Sequence, residues 1–158
     1  MDTSDVFLLL HVVGFVLWMG IAFILPFVTG RAARSGSLEI AAFAYRTWSD
    51  LLKTVGLTGM VLTLAGGFGL TAARQHPLFQ PFPDHWLFQM QLLGVLAFLV
   101  SVFYLIPLSD KLARAAEASA TAGEKSVAFQ KYRKRNALVG SLTGLVLLLI
   151  VILATLKP

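Results

Sequence analysis

The 158-residue sequence contains no cysteine and few charged residues, and these two shortages narrow the class of protein to which it can belong. Without cysteine there can be no disulfide, no thiolate metal ligand, no cysteine-ligated iron–sulfur cluster and no haem attached through thioether bonds. Charged residues form only 13% of the chain, against about 25% in typical soluble domains, while 57% of its residues are hydrophobic. The composition therefore predicts an integral membrane protein.

Four long apolar segments account for this composition. They cover residues 6–28, 51–73, 86–108 and 138–156, and each is close to the roughly 20 residues that a helix needs to cross a bilayer. Helices are the practical way to satisfy every backbone group in lipid at these lengths. The sequence thus predicts an all-α fold, in which residues 1–158 form a single four-helix transmembrane bundle.

Lysine and arginine are distributed unevenly among the connections. The connection between the third and fourth segments holds seven, and the first connection with the start of the second segment holds four, whereas the second connection holds Arg74 alone. By the positive-inside rule, connections 1–2 and 3–4 are then cytoplasmic, and both termini are periplasmic in a bacterial-type inner (plasma) membrane. The net charge of +5 suits anionic lipid headgroups, and no pattern indicates nucleic-acid binding.

The basic connections also contain helical patterns. Residues 38–45 predict an interfacial helix or an extension of the second span, and residues 110–117 predict a prolongation of the third span that ends at Gly123. Small residues recur in the second segment and at Gly140 and Gly144 of the fourth. Such residues are typical of close helix packing, although in the second segment they could instead make room for a flat ligand.

His11 is the one ionisable side chain within the first apolar segment, where it shares a helix face with Gly14 and Trp18. Burying an unpartnered polar group costs about 1–3 kcal/mol, so an imidazole at this depth indicates a partner or a ligand. At a rise of about 1.5 Å per residue, His11 and Gln91 lie at one level, roughly 9 Å below the outer boundary. The second segment contributes three residues at a comparable depth: Thr63, Gly66 and Gly67. We therefore predict a partly polar pocket shared by three helices.

Three interpretations of His11 follow from the residues. It could be a structural histidine bonded to Gln91 or to a backbone carbonyl, or the axial ligand of b-type haem, with Arg74 near the haem propionates. It could also bind copper together with Met90 or Met19. Two loop histidines could supply a second axial ligand: His76 and His85. No carboxylate lies inside a span and no catalytic motif is visible, which argues against a proton relay and leaves catalytic residues unassigned.

Several motifs in order resemble a known family. Helix 1 reads H-x6-W-M-G, from His11 to Gly20, and is followed by Pro26; residues 59–70 and 150–158 extend the similarity along nearly the whole chain. The sequence resembles, as a divergent member, the four-helix haem-containing protoporphyrinogen oxidases of the HemJ type. The related copper-resistance CopD-like proteins share the helix 1 pattern.

The resemblance implies that His11 is a haem ligand in a redox or electron-transfer protein. Two features differ from the oxidases, which carry a lysine where this chain has Gln91 and an Asn-Glu-x-Pro signature where it has the run Asn136–Val139. Whether the chain is an enzyme is therefore left open. The alternatives are a non-enzymatic accessory subunit of a larger membrane complex and a copper-handling protein. The expected partners are membrane lipid, a redox partner or other subunits, and a second copy of the chain.

Overall fold

A computed structural model describes residues 2–76, 78–79 and 86–156, and the regular structure in these residues is entirely helical. The six α-helices are α1 (Thr3–Arg34), α2 (Leu38–Leu51), α3 (Leu57–Ala73), α4 (Trp86–Val100), α5 (Ile106–Ala122) and α6 (Val127–Leu156). One π-helical turn, Leu52–Gly56, joins α2 to α3, and another, Ser101–Leu105, joins α4 to α5.

Within the described residues, four continuous helical stretches are long and apolar enough to cross a membrane. They are Thr3–Arg34, Leu38–Ala73, Trp86–Ala122 and Val127–Leu156, and each contains one of the four apolar segments. The prediction of an all-α protein with four membrane-spanning helices is confirmed. The predicted extensions are present as well, because α2 continues into the second span and α5 continues the third.

Local sequence signals explain where several helices begin and end. At the start of α1, the Asp2 carboxylate accepts from the Thr3 backbone N–H at 2.6 Å and the Asp5 carboxylate accepts from the Asp2 N–H at 3.0 Å, forming a capping box. The Ser37 hydroxyl accepts from the Ile40 N–H at 3.2 Å and begins α2. Gly123 has a φ of +73°, a left-handed conformation that ends α5 as the sequence predicts.

The four spans alternate in direction, so the bundle has two distinct ends. The terminal end holds the first residue of α1, the last of α3, the first of α4 and the last of α6. The basic end holds the last turns of α1, all of α2, the last turns of α5 and the first turns of α6, together with most of the lysine and arginine residues.

Aromatic packing forms the core at the basic end. Phe129 of α6 is 2% exposed, and its ring meets the buried ring of Tyr45 edge-on at a centroid distance of 5.6 Å. Fully buried Leu112 of α5 belongs to the same cluster. Around it, Lys53 of the π turn pairs with Asp110 of α5. Burial of these large apolar side chains stabilises the basic end.

Helices α1 and α3 pack more closely than any other pair, and glycine makes this possible. A Cβ placed on Gly66 would lie 2.4 Å from the His11 backbone N, and one on Gly59 would lie 2.8 Å from the Trp18 backbone N. The close packing predicted for the second segment is therefore present. Close packing was also predicted at Gly140, and there the prediction was wrong, since no other described part of the chain lies within 4 Å of a Cβ placed on this residue.

Candidate functional site

His11 lies half-buried on α1 and forms one hydrogen bond across the crossing with α3. Its Nδ1 atom is 2.7 Å from the backbone carbonyl oxygen of Thr63. A carbonyl oxygen can only accept, so Nδ1 carries the proton and Nε2 of the neutral ring is left with a free lone pair. No other hydrogen bond of this side chain occurs within the described residues, and Nε2 is the atom available to a ligand.

Glycine on α3 allows the imidazole to come this close. A Cβ on Gly67 would lie 3.0 Å from His11 Nδ1 and 3.1 Å from its Cε1 atom, so the ring rests against the bare helix backbone. In a helix the backbone N–H of Gly67 donates to the carbonyl of Thr63, four positions earlier. Because Gly67 has no side chain, that carbonyl is also accessible to a second donor, the imidazole of His11. The structure thus brings together three predicted site residues: His11, Thr63 and Gly67.

The remaining predicted residues of α1 and α3 serve the helix crossing. A Cβ on Gly14 would lie 2.5 Å from the Thr63 backbone N, and Gly66 contacts the His11 backbone in the same way. Trp18 is 2% exposed and belongs to the core. These three residues set the distance between α1 and α3, and through it the position of the imidazole.

Gln91 of α4 does not bond to His11. Its side-chain oxygen accepts from the Phe79 backbone N–H at 2.8 Å, while its side-chain Nε2 is buried with no hydrogen-bond partner. Phe79 in turn places its ring 6.3 Å from that of Phe68 on α3. The sequence allowed two structural partners for His11, Gln91 or a backbone carbonyl, and in the structure the partner is the backbone carbonyl of Thr63. Gln91 instead ties α4 to the connection after α3.

The other candidate ligands are dispersed. Met90 packs half-buried against the core, Met19 is half-buried on α1, and His76 is exposed just beyond α3. Arg74 is exposed at the end of α3. His85, a possible second axial ligand, lies outside the described residues. Nowhere in residues 2–76, 78–79 and 86–156 do three His, Asp or Glu side chains come together to hold a metal ion.

Comparison with known proteins adds a family assignment. Neither the curated proteins nor the solved structures contain a match to this chain. A family model does match, and it covers residues 5–158, nearly the whole sequence.

Proposed function

We propose that this chain, which belongs to the family of predicted integral membrane proteins known as DUF2269, binds b-type haem through His11 Nε2. Bound haem supplies an iron centre for one-electron chemistry, and the protein would act in electron transfer or another redox reaction in the membrane. The observation that carries this proposal is the hydrogen bond from His11 Nδ1 to the Thr63 carbonyl.

This bond is the arrangement found behind most metal-ligating histidines. Such a residue nearly always donates its second ring N–H to a carbonyl or carboxylate, which fixes the tautomer and the orientation of the ring. His11 does so at 2.7 Å, and its Nε2 atom is free to ligate in the neutral form. Haem iron can be held by a single protein ligand, whereas a copper site requires several, so a lone oriented histidine suits haem better.

Two features of α3 support the binding of a flat apolar group with acidic substituents near His11. Helix α3 makes few contacts with α4, so the two can separate around a ligand at lower cost than α1 and α3. Arg74 lies seven residues beyond Gly67, about 10 Å along the same helix. It has no ion-pair partner among the described residues and could pair with the propionates. The oxidases that this sequence resembles carry a lysine at the position of Gln91, which is uncharged. We therefore do not propose protoporphyrinogen oxidation.

Substitution of His11 tests the proposal directly. We expect the purified wild-type protein to show a Soret band that His11→Ala lowers by more than about tenfold, because the iron loses its ligand. His76→Ala is the matched control, since the structure leaves this histidine, which the sequence offered as a second axial ligand, exposed just beyond α3 at the same end of the bundle, and it should retain the band. Haem content is measured as the pyridine haemochrome per chain.

Three outcomes would contradict haem ligation by His11. Equal haem content in His11→Ala and wild type would place the ligand elsewhere. A protein that stays colourless after haem is added to the membranes and co-purifies with other subunits in fixed ratio would be an accessory subunit. Copper retained in proportion to protein, and lost in His11→Ala, would make it a copper-handling protein.

A smaller change at Gly67 tests the orientation of the ring. In Gly67→Ala the new methyl group would stand 3.0 Å from His11 Nδ1, so the imidazole must shift by a few tenths of an ångström and its bond to Thr63 weakens. We expect haem affinity to fall about 10- to 100-fold, with a shifted midpoint potential. Gly94→Ala on α4 is the control, because its Cβ would meet nothing within 4 Å. Unchanged affinity and potential in Gly67→Ala would show that the ring does not hold the iron.

A further inference from the structure

A cleft of about 310 Å³ lies at the basic end, between α1 and α6. One wall is the face of α1 that carries Pro26, Gly30 and Arg34, at helical spacing. The facing wall is α6, from Arg133 to Gly140, and the rings of Tyr45 and Trp48 on α2 contribute to the lining. This cleft lies at the opposite end of the bundle from His11 and plays no part in haem binding.

Small residues keep the cleft open. A Cβ on Gly140 would meet nothing within 4 Å, and the nearest atom to a Cβ on Gly30 would be the guanidinium Nη2 of Arg34, at 3.8 Å. The glycines of α3 behave differently, because the backbone of α1 or its side chains fill the space beside them. Glycine at positions 30 and 140 therefore provides volume between two helices.

Asn136 is a buried polar residue in this cleft that lacks a partner. Its side chain is 3% exposed, and its Oδ1 atom has no hydrogen-bond donor. Buried side-chain oxygens are almost always paired in folded proteins, because the lost hydration is otherwise uncompensated. A ligand that brings a hydroxyl or N–H donor would satisfy this atom.

Two guanidinium groups at the mouth of the cleft lack acidic partners. The Arg34 side chain folds back along α1 and its Nε donates to the Gly30 carbonyl at 3.2 Å, which holds it beside the cleft. In the part of the chain that the structure describes, neither Arg34 nor Arg133 pairs with a carboxylate, although Arg46 does so with Asp50. Two guanidinium groups without carboxylate partners line the same cleft as a buried acceptor, a combination that suits an anion that also carries a donor.

We propose that this cleft binds the headgroup of one anionic phospholipid, with its phosphate between Arg34 and Arg133 and a headgroup hydroxyl donating to Asn136. Phosphatidylglycerol has both groups. A lipid is favoured over a soluble phosphate ester because the cleft runs from Arg34 to Pro26, about 12 Å along a membrane-spanning helix toward its apolar half. Basic pockets between transmembrane helices are established sites for anionic lipid headgroups.

The test is native mass spectrometry of the purified protein titrated with phosphatidylglycerol or phosphatidylcholine. Wild type should bind one phosphatidylglycerol more than about tenfold more tightly than phosphatidylcholine, because both lipids carry a phosphate but choline places a quaternary ammonium near the two guanidinium groups and has no hydroxyl to donate to Asn136. The double variant Arg34→Gln/Arg133→Gln should lose this preference. The matched control is Arg31→Gln/Arg135→Gln, which removes equal charge from the same helix ends outside the cleft and should keep it.

A second variant separates the cleft from general surface charge. Gly140→Leu fills the open space and leaves every charge in place, so it should also abolish the preference for phosphatidylglycerol. Equal losses in the cleft and control double variants would overturn the proposal in favour of diffuse attraction. Undiminished binding in Gly140→Leu would show that the lipid does not occupy the cleft. Complete competition by glycerol phosphate at equal concentration would show that the cleft takes a soluble phosphate ester as readily as a lipid, which would overturn its assignment as a lipid site.

Discussion

Gly66→Ala is expected to separate α1 from α3 and to cost about 3 kcal/mol or more of stability. The added methyl carbon would lie 2.4 Å from the His11 backbone N and 2.8 Å from its Cα atom. Both are main-chain atoms, so no side-chain rotation relieves the clash, and the helices must move apart by roughly 1 Å to restore normal contact. Packing between small residues is a principal source of helix association in membranes, and the loss should be correspondingly large.

Gly20→Ala on α1 is the matched control for this substitution. A Cβ at Gly20 would meet nothing within 4 Å, and alanine is favoured over glycine in a helix by about 0.5–1 kcal/mol. Denaturation with SDS in mixed micelles, followed by tryptophan fluorescence, to which buried Trp18 contributes, compares the two variants. Equal midpoints for Gly66→Ala and wild type would refute the close approach of α1 and α3.

Phe129→Ala is expected to destabilise the basic end by about 3–5 kcal/mol. The ring is 2% exposed and packs edge-on against Tyr45, so its removal leaves a cavity among α2, α5 and α6 and deletes an aromatic pair. The loss should appear as a lower denaturation midpoint, followed by the fluorescence of buried Trp48, whose ring lies 6.3 Å from that of Tyr45.

Phe43→Ala provides the control on α2. Its side chain is 74% exposed, and the change should alter stability by no more than about 0.5 kcal/mol. If Phe129→Ala and Phe43→Ala shift the midpoint equally, Phe129 does not anchor the basic end.

The fold was predictable because its signals are local. Hydropathy over about 20 residues located the four spans, and the αL preference of glycine located the end of α5 at Gly123. The two π turns were not predicted. They interrupt neither the apolar composition nor the helical run, so periodicity alone carries no sign of them.

The candidate site was predictable only in part. Depth along the helices brought His11 together with Thr63 and Gly67, because α1 and α3 are antiparallel and the rise per residue is constant. Depth does not determine which way a side chain points around its helix. Gln91 accordingly bonds to the connection after α3, where the Phe79 N–H offers a donor. The sequence also could not identify Thr63 as the hydrogen-bond acceptor of His11, because every residue carries a backbone carbonyl.

The cleft at the basic end escaped prediction for a similar reason. Gly140 and Gly144 match a helix-packing motif, yet the motif does not say whether a neighbouring helix is present, and the space beside Gly140 is open to the cleft. In the sequence, Asn136 was only the first residue of a run that departs at Ala137 and Val139 from the signature of the family it resembles. Its burial without a hydrogen-bond donor became visible once the structure placed it between α1 and α6.

The most direct test of haem binding is the reduced-minus-oxidised absorption spectrum of the purified wild-type protein, recorded with haem supplied during expression. We predict a b-type difference spectrum with about one haem per chain, as expected for a single histidine-ligated site. A protein that is folded, monodisperse and free of any redox-sensitive absorption would contradict it.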